Sequence, residues 1–176
     1  RGFSGISLPT LSQLVNYLNL GIHPVIPSQG SVGASGDLCP LSHLAISLLG
    51  EGEVFFRGRR MAAREALQEV GLEPVVLQPK EGLALNNGTT VMTAIAALCV
   101  VDALSLGKVA DVAAALSLEA LHGVPYAFDP RTHDLRPQTG QRLVAGNLRK
   151  LIDGSEIVAA YKGKRVQDAY SLRCVP

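Results

Sequence analysis

Apolar residues recur at helical spacing over most of the chain. Between Leu8 and Leu20 they return every three or four positions, and Gly21 then interrupts the pattern, which predicts an amphipathic helix. The same spacing predicts three further helices, from Pro40 up to Gly50, from Ala62 to Val70 and from Gln141 to Ile152. The chain is therefore expected to be mainly helical.

The segment from Thr90 to Leu121 is mostly Ala, Val and Leu, so a helix here is apolar on more than one face. Such a helix must be buried on several faces, which predicts a large helical bundle or an oligomer. Gly107 is a position at which the helix can divide. Its densest apolar part, 91–101, is shorter than the ~20 residues of a membrane span, and Asp102 follows it, so no membrane partner is expected.

Extended backbone is predicted on both sides of the second helix. Each proline in 23–27 restrains the residue before it to β or polyproline conformations. The stretch from Gly52 to Met61 predicts a short hairpin that turns at Arg57-Gly58. The predicted fold class is mainly α, with a small β-hairpin and an extended region leading into the loop around Ser35.

The charge balance gives no reason to expect an anionic partner. With 16 basic and 15 acidic residues the formal net charge is +1, so neither nucleic acid nor an anionic membrane is predicted. Four arginines between residues 57 and 64 are expected to form a solvated surface. The cysteines lack CxxC spacing and the histidines lack metal-ligand spacing, which predicts no metal site and a reducing, cytoplasmic location.

The triplet Ala34-Ser35-Gly36 offers the most distinctive chemistry in the chain. If the Gly36 nitrogen attacks the Ala34 carbonyl carbon, a five-membered ring closes. Loss of two waters, one carrying away the Ser35 hydroxyl, then leaves a methylidene-imidazolone (MIO), a strong electrophile. Glycine suits the attack because it lacks a Cβ and reaches strained φ and ψ values. The alternative is an ordinary turn, which Gly and Ser clusters usually form.

Three stretches together resemble the aromatic amino acid ammonia-lyases. They are residues 30–41 around the triplet, residues 80–89 with Asn86-Asn87-Gly88-Thr89, and residues 166–174 with Gln167-Asp168-Ala169-Tyr170-Ser171-Leu172-Arg173. The resemblance runs along the whole chain and is nearest to the histidine ammonia-lyase branch. It implies a large helical-bundle lyase fold, a homotetramer, and an MIO formed without an external cofactor. The implied reaction eliminates ammonia from L-histidine to give urocanate.

The resemblance also assigns roles to single residues. It places Tyr170 near the MIO and the substrate amine, Asn87 and Gln167 against the substrate, and Asp37 as the residue that positions the loop. It makes Arg173 the clamp for the substrate carboxylate, a role that suits the planar guanidinium because it binds bidentately. Taken singly, Tyr170 would be a half-buried aromatic residue and Asn87 a helix cap. Gln167 would be a solvated polar group and Arg173 a surface cation. The helix that follows Asn87-Gly88-Thr89 and the helix after Ser35 would both direct positive dipole ends at the MIO.

Other interpretations stay open at the level of sequence. A phenylalanine or tyrosine ammonia-lyase, or an aminomutase, shares the same electrophile, and a noncatalytic helical assembly module would use the Ser35 loop only as a turn. The chain has no initiator Met and stops inside a motif, so it is expected to be a single central segment truncated at both ends. The tyrosine base of the family lies upstream of these residues, so the isolated segment is expected to be inactive.

Overall fold

A computed structural model describes residues 3–176, and the chain divides into two compact units, one ending at Leu98 and one beginning at Cys99. The fold class is mainly α with one small antiparallel sheet, as predicted. The first unit contains four helices and three strands: α1 Leu8–Leu20, β1 His23–Pro24, α2 Leu38–Leu48, β2 Glu53–Phe56, β3 Arg59–Ala62, α3 Ala63–Glu69 and α4 Glu81–Asn86.

The observed ends of α1 agree with the prediction. Pro9 lies in the first turn of the helix, and Gly21 ends it in a left-handed conformation with φ of 69°. Helix α2 begins two residues earlier than predicted, at Leu38, and Asp37 is its N-cap. The hairpin is confirmed, with Val54 paired to Met61. The sheet is larger than predicted, because β1 adds a third strand next to β2.

The arginine cluster lies on the exposed outside of the hairpin, as predicted for a solvated surface. Arg57 and Arg59 contact the Glu69 carboxylate, at 3.5 and 3.2 Å, and Arg60 contacts Glu53 at 2.5 Å. The arginine side chains remain more than half exposed, so these ion pairs contribute little to the stability of the fold.

The core of the first unit joins the sheet to α1, α2 and α3. Val54, Phe56, Leu48 and Leu67 are buried in it. Tyr17 enters the same core and keeps its hydroxyl satisfied by donating a hydrogen bond to the Ser47 carbonyl oxygen at 2.5 Å. Burial raises the pKa of the Tyr17 hydroxyl, because the charged form would lose its hydration.

Glu81, at the start of α4, is a buried carboxylate that fastens α4 to the start of α1. Its two oxygens accept hydrogen bonds from the backbone amides of Ser7 at 2.7 Å and Gln78 at 2.6 Å. These donors, first the Gln78 amide and then the Ser7 groups, lower the pKa of Glu81 from 4.5 to about 2. The ionised form is therefore the one that the folded protein stabilises.

Replacing Glu81 by Gln is expected to lower the melting temperature at neutral pH, because an amide offers only one acceptor oxygen to the two backbone donors. The pKa of Glu81 is lower in the folded protein than in the unfolded chain. The stabilisation by its carboxylate is therefore present above pH 4.5 and is lost as the pH falls toward about 2. The difference in melting temperature between wild type and Glu81→Gln should narrow over that range. Thermal unfolding against pH measures it, with the exposed Glu65→Gln as the control. A difference that does not change with pH would contradict the prediction.

Helix α5 spans Thr90–Ala120 and contributes residues to both units. It continues through Gly107, so the predicted division is wrong. Most of its apolar side chains are exposed, Leu98 at 69% and Leu106 at 68%, and by length and composition the helix could cross a membrane. Its buried positions are Asp111, Ala115 and Leu118.

The second unit packs short elements against the last turns of α5. They are a 3₁₀ helix at Pro125–Phe128 and the helices α6 Pro130–Asp134, α7 Thr139–Leu151, α8 Glu156–Tyr161 and α9 Tyr170–Arg173. Two short helices can form in this proline-containing stretch because Pro125 and Pro130 each occupy a first-turn position, where proline is favoured. Phe128, Ala145 and Leu148 centre the core. Asp111 of α5 accepts a hydrogen bond from Asn147 of α7 at 2.8 Å.

Candidate active site

The triplet lies in a tight loop between β1 and α2. Val32 and Asp37 form an isolated bridge, in which the Val32 amide donates to the Gly36 carbonyl oxygen at 3.2 Å. The Leu38 amide donates in turn to the Val32 carbonyl oxygen at 3.3 Å. The four residues 33–36 are thus closed into a short loop whose ends are held together next to the first turn of α2.

Two glycines make this loop possible. Gly33 and Gly36 have φ values of 89° and 83°, a region that residues with a Cβ rarely adopt. Space is limited as well, since a Cβ on Gly36 would lie 2.5 Å from the Ser31 Oγ and one on Gly33 would lie 2.7 Å from a Leu38 methyl carbon. The backbone around Ser35 is therefore held in a conformation that most sequences cannot reach.

The Ser35 hydroxyl is fixed from two sides. Its Oγ donates a hydrogen bond to the Gly88 carbonyl oxygen at 2.8 Å and accepts one from the Asp37 amide at 3.2 Å. Ser35 is half-buried, whereas Ala34 is exposed. The hydroxyl that would have to leave during ring formation thus has a defined orientation before any reaction.

Asp37 links the loop to the long helix. It is buried, and its Oδ2 accepts hydrogen bonds from the backbone amides of Val91 at 2.8 Å and Met92 at 3.1 Å. These amides belong to the first turn of α5, which has no partner for them within the helix. Asp37 therefore caps α5 from 54 residues away in sequence, in addition to preceding α2.

Asn87 does not cap α5. It ends α4, its own amide donates to the Leu83 carbonyl oxygen at 3.0 Å, and its side chain is exposed. The alternative interpretation of Asn87 as a helix cap is wrong, because the side chain of Asp37, distant in sequence, takes that position. Asn87 instead stands next to Gly88, whose carbonyl holds Ser35, with an amide side chain free to meet a ligand.

The N-termini of α2 and α5 both lie beside the loop, as predicted. Each helix start carries a partial positive charge that favours an anion nearby. The Asp37 carboxylate offsets part of this charge at α5, because it occupies the Val91 and Met92 amides.

The remaining predicted residues lie in the second unit, on and just before α9. Tyr170 and Arg173 are neighbours there, with the guanidinium carbon of Arg173 4.0 Å from the centre of the Tyr170 ring. Tyr170 is 70% exposed, and Gln167 is exposed too. The stacking leaves the edges of the guanidinium available for an anion while the ring limits its motion.

Arg173 and Gln167 also line a cavity of about 310 Å³ within the second unit. His133 lines the same cavity and donates through Nε2 to the Ala127 carbonyl oxygen at 2.9 Å. Its Nδ1 and the Arg173 Nε are buried and have no partner among residues 3–176. The sequence did not predict that His133 lines this cavity, because a single histidine without metal-ligand spacing does not indicate a functional site.

The predicted site residues therefore fall into two groups. Ser35, its triplet neighbours, Asp37 and Asn87 come together in the first unit, and Gln167, Tyr170 and Arg173 come together in the second. Over residues 3–176, no group of three His, Cys, Asp or Glu side chains lies close enough to hold a metal ion. The structure adds the Gly88 carbonyl and the Val91 and Met92 amides to the first group. These are backbone groups, so the residue types in the sequence could not predict them.

The profile of one family, described as aromatic amino acid lyase, matches residues 1–176. The chain belongs to the aromatic amino acid lyase family. Among curated members it is similar to the histidine ammonia-lyase of Alkaliphilus oremlandii, with 56% identity over the whole chain and 35% of that relative. The aromatic amino acid lyase chain thus spans about a third of the length of the relatives it matches.

Solved structures of family members agree with this fold. A histidine ammonia-lyase from Trypanosoma cruzi has a TM-score of 0.84 and 43% identity, covering 100% of this chain and 32% of its own. A phenylalanine ammonia-lyase from Rhodosporidium toruloides has a TM-score of 0.87 and 41% identity, covering 99% and 27%. The fold of this lyase segment is therefore shared by family members with different substrates.

Replacing Asp37 by Ala in the full-length protein is expected to lower the free energy of unfolding by about 1–2 kcal/mol, the usual cost of losing a helix cap. Asp37→Asn, which keeps one acceptor oxygen, should cost less. Urea unfolding of both variants measures the effect. The exposed Asp153→Ala serves as the control for loss of an aspartate elsewhere. Equal stability of wild type and Asp37→Ala would show that the carboxylate does not cap α5.

Proposed function

We propose that this chain carries the reactive centre of a histidine ammonia-lyase, a carbon–nitrogen lyase that eliminates ammonia from L-histidine to give urocanate. The observation that carries the proposal is the 56% identity to a histidine ammonia-lyase over the whole chain, combined with an Ala34-Ser35-Gly36 loop held between two helix N-termini. The identity supplies the substrate class, and the loop supplies a place for the chemistry.

The MIO would arise from the triplet itself. The Gly36 nitrogen would lose its hydrogen and form a bond to the Ala34 carbonyl carbon. The Ala34 oxygen would leave as water with that hydrogen and the Ser35 amide hydrogen, which leaves a double bond between the Ala34 carbon and the Ser35 nitrogen. The second water takes the Ser35 Oγ and the Ser35 Cα hydrogen, which creates the exocyclic double bond. The residues fit this group, because Gly36 already holds a positive φ and a Cβ there would meet the Ser31 Oγ.

When formed, the MIO supplies an electrophilic carbon that turns the substrate amino group into a leaving group. Residues of the first unit hold the triplet in position for this chemistry. The Gly88 carbonyl oxygen binds the Ser35 hydroxyl, and Asp37 attaches the loop to the first turn of α5. The start of α2 favours the negative charge that develops next to it. Asn87 has an exposed amide that we assign to the substrate.

The residues of the second unit bind the substrate in this proposal. Arg173 pairs with the carboxylate, since its guanidinium is stacked on Tyr170 and thereby oriented. Tyr170 and Gln167 present exposed polar groups to the amine and the rest of the substrate. The base that takes the β-proton lies outside this chain, as the resemblance implies.

The choice of substrate has one specific rival. A phenylalanine ammonia-lyase shares the fold at 41% identity, so the fold itself does not select histidine. Turnover of L-histidine, L-phenylalanine and L-tyrosine by the full-length protein separates these possibilities. We expect ammonia release from histidine and much slower release from the other two.

We further propose that the full-length protein is a cytoplasmic homotetramer that binds neither membrane, nucleic acid nor metal. The support is the apolar surface of α5, where Leu98, Leu104 and Leu106 are each more than 60% exposed in this chain and require covering. Asp102, Lys108 and the buried pair of Asp111 with Asn147 favour protein over lipid as that covering. A noncatalytic assembly module would share this surface but would not form an MIO.

Replacing Ser35 by Ala in the full-length protein is expected to abolish turnover, because no hydroxyl remains to leave and the methylidene group does not form. The peptide that contains residues 33–37 should be lighter by two waters in wild type and unmodified in the variant. Mass spectrometry and the ultraviolet absorbance of urocanate measure the two effects. As a control, Ser42→Ala removes a hydroxyl that bonds the Leu38 carbonyl oxygen, and it should keep the mass loss. Near-normal turnover by Ser35→Ala would contradict the proposal.

Replacing Arg173 by Ala should lower kcat/KM by orders of magnitude, since loss of one partner of a desolvated charge pair costs ~2–5 kcal/mol. Arg173→Lys should recover only part, because an ammonium cannot bind both carboxylate oxygens in one plane. The exposed Arg142→Ala is the matched control. Steady-state kinetics test the substitutions, and a decarboxylated analogue that binds wild type as tightly as histidine would rule out the clamp.

A further inference from the structure

Asp168 is a buried carboxylate that the proposed chemistry does not use. It follows Gln167 directly and stands two residues before Tyr170, and its side chain is only 2% exposed. One of its oxygens, Oδ2, accepts a hydrogen bond from the Val124 amide at 2.7 Å. The other, Oδ1, lies 2.9 Å from the Arg165 Nε. A carboxylate so deeply buried is costly unless it is paired. Here Oδ2 has a hydrogen-bond donor, and Oδ1 has Arg165 as an ion-pair partner without the geometry of a hydrogen bond.

Arg165 extends this pair to the end of the long helix. Its Nη2 donates to the Leu121 carbonyl oxygen at 3.2 Å and also to the His122 carbonyl oxygen. The last carbonyls of a helix lack partners within the helix and carry partial negative charge, so a guanidinium there is favoured. Together Asp168 and Arg165 therefore bond an amide and two carbonyls of the segment that leaves α5.

The backbone of that segment is shaped to accept the carboxylate. A Cβ on Gly123 would lie 3.1 Å from the Asp168 Oδ2 and 2.3 Å from a Leu118 methyl carbon. A side chain at Gly123 would therefore collide with Leu118 and would contact Asp168 tightly. This close contact sets the place where the 165–168 segment meets the end of α5.

The residues that follow Asp168 depend on this attachment. Helix α9 is one turn long, so it has little stability of its own. The Ala169 carbonyl oxygen, next to Asp168, accepts a hydrogen bond from the Arg173 amide at 3.1 Å. On the other side, Leu172 and Val175 pack against the core of the second unit. A polar anchor before α9 and an apolar anchor on it together fix where Arg173 points.

We infer that Asp168, held by Arg165 and Val124, is a positioning residue that orients Arg173 for the carboxylate of the substrate. The inference rests on the proposed function, because it assigns to Arg173 the carboxylate of an aromatic amino acid. Asp168 itself does not touch the substrate. Its contribution is to keep α9, and with it the guanidinium stacked on Tyr170, in one place relative to the end of α5.

Asp168→Asn in the full-length enzyme tests this. The amide keeps an acceptor for Val124 but presents no charge to Arg165, so α9 should gain freedom. Small misplacements of a binding group cost up to two orders of magnitude, and we expect KM for L-histidine to rise about tenfold. Inhibition by histamine, which has the imidazole and the amine but no carboxylate, should be unchanged. This selectivity is the readout that a merely structural role would not produce.

Arg165→Gln is the second variant, in case Asp168→Asn does not fold. The Arg165 side chain is 45% exposed, so its replacement leaves the core intact, and it should shift KM for histidine in the same direction by a smaller factor. The matched control is the exposed Asp153→Asn, which should behave as wild type. In an Arg173→Ala background, Asp168→Asn should add no further loss of histidine binding, because the group it positions is already absent.

Equal weakening of histidine and histamine by Asp168→Asn, or no change in either, would overturn the positioning role. The same holds if Asp168→Asn and Arg173→Ala act independently, with their effects on histidine KM multiplying. Failure of the proposed function gives a different result, since the wild-type enzyme would then release no ammonia from any aromatic amino acid. That outcome would remove the basis of the inference as well.

Discussion

The contact on which the first group of site residues depends is the hydrogen bonding of Asp37 to the first amides of α5. This carboxylate precedes α2 and caps α5, so the loop that contains Ser35 cannot move independently of either helix. The same contact brings Gly88 to the Ser35 hydroxyl, because Gly88 lies just before the capped turn. A buried carboxylate with several backbone donors is both stable and hard to replace, since no neutral side chain accepts as many hydrogen bonds.

The Asp37 contact would become more important for holding the loop after the Ser35 hydroxyl is lost. Before any reaction the loop is held twice, by Ser35 on Gly88 and by Asp37 on Val91 and Met92. Ring formation from the triplet would remove the Ser35 oxygen and with it both hydrogen bonds of that hydroxyl. Of these two contacts to the segment that begins α5, only that of Asp37 would then remain.

Local patterns in the sequence predicted the elements that are long enough to show a period. Helix α1 has the predicted ends because Pro9 and Gly21 mark both of them. Helices α4, α6, α8 and α9 were not predicted, since four to six residues are too few to display a repeat of 3.6. Gly107 was expected to divide α5 but does not, because a single glycine costs only about 1 kcal/mol in a helix of 31 residues.

The site shows the same division between local and long-range information. The triplet and the residues from Gln167 to Arg173 were visible as motifs, and the structure places each group in one compact neighbourhood. The contacts that orient them were not visible, because Asp37 meets Val91 across 54 residues and Asp168 meets Val124 across 44. A helix cap was the alternative interpretation of Asn87 for this reason: Asn is a common capping residue, and nothing in the sequence shows that Asp37 already occupies the position.

The two ends of helix α5 belong to different units, and each is attached to its own group of site residues. Its first turn is fastened to the Ser35 loop by Asp37, and the residues that leave its last turn are fastened to the Arg173 segment by Arg165 and Asp168. In each case a charged side chain satisfies backbone groups that the helix end leaves without partners. The side chains that anchor the site therefore also stabilise the helix ends. In each unit, therefore, side chains next to the proposed chemistry cap one end of α5, and short loops that have little stability of their own gain an attachment there.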